Sequence, residues 1–333
     1  MCDVSSVKNK SIARKSLIRT LIFTLAILWI GSTFEPYNQA QLAVVLILFI
    51  GVLSVTLLTG ISGQLSLGQG ALMAVGGYST ALLIVNYKFS LWVAVPLSIL
   101  SAGIAGLLLG IAAARLRGPY LAGTTLVIAL AIPTIANRFE SVFKGDEGLP
   151  VDVGYPPQWF SNTFGEPTYE QWQLYVALPF AAIALFFASN ILLSRSGRMW
   201  RAIRDNESAA SLSGVNYSRQ KIYAFIISST FAGLSGALYG LRGLVGPSVY
   251  PVSLSLLLLT AAVLGGIRSI AGAFIGTVIV VFLPDWIDLV IHNFELSEQV
   301  SNFLPALVSG LLLILTVVIN PAGVAGTKLH KHK

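Results

Sequence analysis

Between two long apolar runs lies a polar, arginine-rich segment, Arg195 to Gly214, reading RSGRMWRAIRDNESAASLSG. Its charges are suited to ion pairing and protein contact, not to bond breaking. Residues 198–213 read as a short amphipathic helix in which Trp200, Ile203 and Leu212 share or flank an apolar stripe. Arg201 and Asp205 stand at i, i+4, and Gly214 suits a C-cap. Such a helix lies either on anionic lipid or against a soluble partner. A second polar group, Gly63, Gln64, Ser66 and Gln69, opens an apolar run. Uncharged polar groups there either line a solute path or hydrogen-bond between helices. A third group is acidic. Between 139 and 172, Asp146, Glu147, Asp152 and Glu166 stand with Glu140 and Glu170 against Lys144, among Trp159, Phe160, Phe164 and Trp172. An acidic, aromatic face suits docking of a soluble protein. Trp172 and Tyr175 read better as membrane-interface anchors.

Catalytic signatures are missing from the sequence. It has no G-x-x-x-x-G-K-[ST] phosphate loop, no H-E-x-x-H and no G-x-S-x-G. Its three histidines, His292, His330 and His332, fall in an expected outer loop and in the tail. The one cysteine, Cys2, permits neither an intrachain disulfide nor a cysteine metal cluster. The expectation is a chain that is not an enzyme and binds no metal or cofactor of its own.

The elements that must position these groups are membrane helices. Hydrophobic residues make up 55% of the chain and charged residues 11%, against about 25% charged in soluble domains. The mean hydropathy is +0.78. Runs near 20 residues recur, each long enough for a hydrocarbon core of about 30 Å. Spanning segments in lipid must satisfy their own backbone and so are helices. The expected fold is all-α and polytopic, with about ten crossings: 17–34, 40–60, 64–85, 91–114, 119–138, 173–193, 220–241, 253–267, 270–291 and 303–320. A basic tail, 1–16, precedes a single transmembrane unit of 17–320, and a second, 321–333, follows it. The first run reads as a retained helix, not a cleaved signal.

With both termini in the cytoplasm, seventeen of the 21 basic residues fall on the cytoplasmic side, as the positive-inside rule requires. Lys88, Arg138, Lys144 and Arg242 are the exceptions. Since the basic residues lie in loops and tails, the +7 net charge points to membrane lipid and not to nucleic acid. No ionisable residue falls at the centre of an expected span. Asp285 and Asp288 come nearest and belong near the outer interface. Proton coupling through a mid-membrane carboxylate is therefore disfavoured. Glycines at three- and four-residue spacing (Gly103, Gly106 and Gly110; Gly233, Gly236 and Gly240; Gly272 and Gly276) are expected to pack helices closely.

The stretch 197–216, GRMWRAIRDNESAASLSGVN, resembles the cytoplasmic coupling segment of branched-chain amino acid ABC-transporter permeases of the LivM type. Three further stretches fit the same pattern: 63–71 (GQLSLGQGA), 115–120 (RLRGPY) and 264–273 (LGGIRSIAGA). Gly145-Asp-Glu-Gly-Leu149 occupies the place of a glycine-rich turn. The family includes urea and short-chain amide permeases. The resemblance implies one permease subunit paired with a second, related one as a heterodimer. Two ATPases, carrying ATP and Mg, would grip the coupling segment 194–219, and a periplasmic binding protein would deliver solute at the bacterial inner membrane. It assigns Arg201, Arg204, Asp205, Glu207, Ala210 and Gly214 to the ATPase-facing segment. Gly63, Gln64, Ser66 and Gln69 match the glycine/glutamine motif, expected here to line the pathway. Asp146, Glu147, Asp152 and Glu166 are the expected docking acids. Gly68-Gln69 departs from the usual Gly-His, and Ser211-Leu-Ser213 from a usual Ala/Leu-rich run. A stand-alone secondary transporter is the alternative from another class.

Overall fold

The computed structural model describes residues 4–116 and 118–291, with scattered positions from 304 to 324. In chain order the helices are α1 (Val4–Thr33), α2 (Pro36–Val55), α3 (Gln69–Val85), α4 (Leu91–Ala113), α5 (Pro119–Arg138), α6 (Glu140–Phe143), α7 (Gln158–Phe164), α8 (Tyr169–Leu193), α9 (Arg195–Asp205), α10 (Glu207–Leu212), α11 (Tyr217–Gly240), α12 (Val252–Gly265) and α13 (Ile270–Ile291). Two short strands, β1 (Leu149–Asp152) and β2 (Arg242–Val245), pair antiparallel. The chain is a multi-pass helical membrane protein. Among the described residues, seven helices are long and apolar enough to cross a bilayer, and α3 and α12 are shorter apolar helices.

This differs from ten full crossings in two places, and a third lies largely outside the described residues. The span expected at 64–85 begins as a helix only at Gln69, because residues 62–68 are not helical. The span expected at 253–267 is the 14-residue α12, about 21 Å long at 1.5 Å per residue. The stretch 303–320 falls largely outside the described residues, although Leu304 and Val308 pack on Leu283 and Ile287 of α13. The first helix does not begin at 17, since α1 runs unbroken from Val4 through the expected basic segment. Nor is 139–172 a plain loop: it holds α6, a 3-10 turn (Gly145–Glu147), β1 and α7. The sheet within an all-α expectation arises there. Leu149 and Val151 alternate inward while Pro150 and Asp152 face out, a two-residue period that only a strand provides.

Burial orders the bundle. Most residues of the largely apolar span formed by α2 and the π-helical turn Thr56–Ile61 are buried, whereas few of the α1 span are. A helix without a polar face belongs at the centre, and α2 packs against α8, α11, α12 and α13. Peripheral helices offer apolar side chains to lipid, such as Ile22 and Trp29 on α1 and Leu100, Ile104 and Leu108 on α4.

Lipid supplies no hydrophobic drive between apolar helices, so close packing and hydrogen bonds must hold them. The glycines of α4 line its contact with α11, where Gly106 faces Ser229 and Gly110 faces Phe225 and Ile222. Gly76 of α3 abuts the Gly233 backbone, and Gly236 of α11 abuts the Met73 carbonyl, both too closely for a Cβ. Hydroxyls add bonds to backbone: Ser235 Oγ donates to the Ile47 carbonyl at 2.7 Å and Ser228 Oγ to the Ser54 carbonyl at 2.9 Å. Trp172, expected at the lipid interface, is instead buried, with the Phe160 ring 5.3 Å away.

Candidate functional site

The polar segment forms two helices, not one over 198–213. Asn206 breaks it at an extended φ of −159°, and its side chain caps α10 by accepting from the Ala209 N–H. Asparagine is a preferred N-cap because its short amide satisfies a donor that the helix leaves free. Ser194 caps α9 in the same way, accepting from the Gly197 N–H at 3.3 Å. Trp200, Ile203 and Ala210 turn inward and are buried. Leu212, expected to share their stripe, lies on the far helix and is 91% exposed. The hairpin ends at Gly214, whose φ of +81° is strained for residues carrying a Cβ.

The expected Arg201–Asp205 pair is replaced by two different contacts. Arg201 Nη2 donates to the Leu192 carbonyl at 3.1 Å, while Asp205 pairs with Arg204 at 2.8 Å. The break at Asn206 moves Asp205 to the helix end, where its nearest cation is the adjacent residue. Arg204 also reaches inward. Its Nη1 donates to the Gly60 carbonyl at 2.9 Å, at the end of the π-helical turn. A cation on the free carbonyls of a helix C-terminus satisfies an acceptor and complements the dipole. Arg204 therefore caps the central helix from 144 residues away in sequence.

The glycine/glutamine motif lies directly beneath. After the π-helical turn the Ser62 N–H donates to the Leu57 carbonyl and the Gln64 N–H to the Leu58 carbonyl, both at 3.1 Å. Gly63 follows at φ +74°, and a Cβ there would stand 2.6 Å from Arg204 Cγ. Gln64 Nε2 donates to Ser62 Oγ at 3.0 Å. Glu207 of α10 forms an ion pair with Lys221 of α11. These groups enclose a polar cavity of about 280 Å³ against Leu116 and Leu121. Ser66 and Gln69 belong elsewhere, in a buried seam. Ser66 Oγ accepts from the Gly68 N–H at 3.3 Å, and Gln69 Oε1 accepts from Ser54 Oγ at 3.1 Å. The Gly70 N–H is satisfied by Ser255 Oγ at 2.9 Å. Irregular backbone at membrane depth survives where it is buried in protein or lines a polar cavity, and 62–69 does both.

The four acids divide among three places. Asp146 accepts from Asn137 Nδ2 at 3.0 Å and is joined by Glu147 in the 3-10 turn. Asp152 ends β1 opposite Arg242 of β2. Glu166 lines a separate hollow with Leu28 and Tyr175. Sequence reasoning missed β2 and the role of Arg242 within it. The only signal was a short run, RGLV, between a helix end and the glycine of Gly246. Buried Tyr250 sits behind this sheet and donates to the Gly236 carbonyl at 2.8 Å. Burial, with Tyr239 nearby, holds its phenol well above the usual range, so it remains a donor.

The relatives of this chain are named as permeases of transport systems. A family model described as "Branched-chain amino acid transport system / permease component" matches residues 39–317. The LivM permease of the high-affinity branched-chain amino acid transport system of Escherichia coli K12 is 29% identical over 340 residues, covering 96% of this chain and 76% of the relative. The LivH permease of that organism is 26% identical over 284 residues, covering 81% and 88%. Its L-arabinose transport system permease AraH is 29% identical over 263 residues, covering 78% and 75%. No solved structure matches. With a match across most of its length, the chain belongs to the family of permease components of branched-chain amino acid transport systems.

Proposed function

We propose that this chain is one membrane subunit of an ATP-driven ABC importer in the bacterial inner membrane. In this reading the α9–α10 hairpin faces the cytoplasm, as do both termini, and ten crossings complete the topology. Two ATPases grip the hairpin, hydrolysing ATP with Mg in their own sites, and a second, related permease completes the translocation unit. A periplasmic binding protein docks on the opposite end, which carries the sheet and the acidic turn. The solute is a branched-chain or other neutral amino acid, in keeping with the LivM and LivH relatives; the arabinose relative marks the family as chemically broader.

The observation that carries this reading is the Arg204 contact with the Gly60 carbonyl. A hairpin that merely lay on lipid would need no such grip. A hairpin that receives force must be fastened to what it moves, and what Arg204 holds is the end of the most buried helix. From Pro36 to Ile61 that helix has 26 residues, or about 39 Å, so a push at its foot reaches the far end. Gly63 leaves room for the Arg204 stem, and the Glu207–Lys221 pair ties the second half of the hairpin to α11. Arg204 and Glu207 therefore act as internal fastenings, while exposed Leu212 is the contact offered outward.

The test is affinity purification of the tagged chain from native membranes in mild detergent, with protein identification by mass spectrometry. Wild type should recover a second permease and ATPase subunits. Leu212→Glu should lose the ATPases while leaving the chain folded, and Glu207→Ala should weaken the complex less directly, through the Lys221 tie. Recovery of the chain alone, with solute uptake in liposomes independent of ATP, would show a stand-alone secondary transporter instead.

A further inference from the structure

At the sheet end of the bundle an open cavity of about 460 Å³ lies beside β2, the following turn and the start of α12. Small-molecule sites commonly occupy about 300–1,000 Å³. Arg242 and Leu244 line it from β2, Val249 from the turn, and Leu254 and Leu257 from α12. Within the sheet, Leu149, Val151 and Val245 turn inward, while Asp152, Arg242 and Leu244 share the outward face. Asp152 stands directly opposite Arg242 in register. Cross-strand partners have Cβ atoms about 5 Å apart, near enough for an ion pair. Yet the two are not paired. The Arg242 guanidinium lies over the Tyr239 ring, 5.8 Å from its centroid, and Asp152 accepts from the Gly154 N–H at 2.8 Å. Among the described residues the Arg242 side chain has no hydrogen bond or ion pair.

We infer that this cavity binds a zwitterionic amino acid with an apolar side chain. Arg242 takes the carboxylate, Asp152, outside the lining itself but across the strand pair from Arg242, takes the ammonium, and Leu244, Val249, Leu254 and Leu257 flank the side chain. The planar guanidinium matches a carboxylate with two parallel bonds. Opposite charges on neighbouring strands match the two ends of an α-amino acid. The apolar wall removes the remaining surface from water. An uncharged solute such as urea or a sugar would leave both charges unmatched. The inference takes its solute class from the importer reading and adds the residues that select it.

The experiment uses the tagged chain with whatever subunits co-purify, in nanodiscs, without binding protein or ATP. L-Leucine is titrated and its binding followed by saturation-transfer NMR, with 4-methylpentanoate, isopentylamine, urea and L-arabinose as competitors. Saturable leucine binding is expected, displaced partly by 4-methylpentanoate, less by isopentylamine and not by urea or arabinose. Arg242→Gln should weaken it about tenfold or more, as loss of a charge-assisted bond does, and Asp152→Asn by less. Leu257→Trp, which fills the cavity from another element, should abolish it. If Arg242→Gln does not yield a monodisperse complex, Arg242→Lys and Leu257→Trp carry the test. Leucine binding unchanged in Leu257→Trp overturns the proposal. So does binding of urea or arabinose in place of leucine. An Arg242→Gln complex that keeps leucine but no longer retains a soluble binding protein also overturns it, making Arg242 a protein contact. ATP-driven uptake is measured separately in liposomes; its absence would remove the importer reading while the leucine titration still decides the site.

Discussion

Replacing Gly63 by alanine tests the fastening between hairpin and bundle. Two costs add at this position. The backbone φ of +74° costs an L-residue about 1–2 kcal/mol. The new methyl stands 2.6 Å from Arg204 Cγ and 3.0 Å from its Cβ, and overpacking of this kind costs about 1–3 kcal/mol. The crowding atoms are the base of the side chain, not its flexible tip, so relief means displacing Arg204 from the Gly60 carbonyl. Gly63→Ala should therefore destabilise the chain by about 2–5 kcal/mol. In an Arg204→Ala background the Cγ contact is gone, and the cost should fall towards the backbone part of about 1–2 kcal/mol. A double-mutant cycle on the purified chain in mixed micelles, unfolded by increasing SDS, would measure a coupling of at least about 1 kcal/mol, within the range for residues in contact. Equal costs of Gly63→Ala in the two backgrounds would refute the reasoning. In the proposed importer a second reading comes from reconstituted uptake: the same pair should reduce transport per ATP hydrolysed before it reduces hydrolysis itself.

Other substitutions probe the packing that holds the site. Trp200, 1% exposed among Leu58, Leu121 and Phe225, should cost about 3–5 kcal/mol as Trp200→Ala. Trp200→Phe should cost far less, because the indole Nε1 is buried with no hydrogen-bond partner among the described residues; the same SDS titration compares them. Gly236→Ala should lower stability by about 1–3 kcal/mol or more, since its Cβ would overlap the rigid Met73 carbonyl, and the loss should show as a reduced melting temperature. Gly214→Ala meets open space, so only its φ of +81° counts; a loss of about 1–2 kcal/mol with normal subunit recovery on affinity purification is expected.

The bundle was legible because lipid imposes one solution on a long apolar run, and α2, α4, α5, α8, α11 and α13 lie where hydropathy puts them. Hydropathy alone did not show that 62–68 leaves the helix, since Leu65 and Leu67 stand among Gln64 and Ser66 at the edge of an apolar run. What breaks it is Gly63 at positive φ and a turn capped by a distant arginine, both tertiary facts. The hairpin's identity as a unit was visible in its charges. Its break at Asn206 was not, because asparagine is tolerated both within a helix and at its cap. Arg204 and Arg201 look alike in sequence, yet one caps the central helix and the other the end of α8. The strands escaped notice because four-residue elements carry too little periodicity to stand out between glycines.

Gly60 has two neighbours from distant parts of the chain. Its carbonyl accepts from Arg204, and its Cα faces the Ile267 carbonyl in the α12–α13 turn too closely for any side chain. Three segments must therefore agree in shape at one point, which limits how this permease can be recombined. A chimera receiving only a foreign α9–α10 hairpin, in the hope of recruiting a different ATPase, would bring an arginine whose reach was set by another helix end. Residues 60–64 and 265–269 would have to travel with it. The transferable module is a three-part knot and not the surface hairpin.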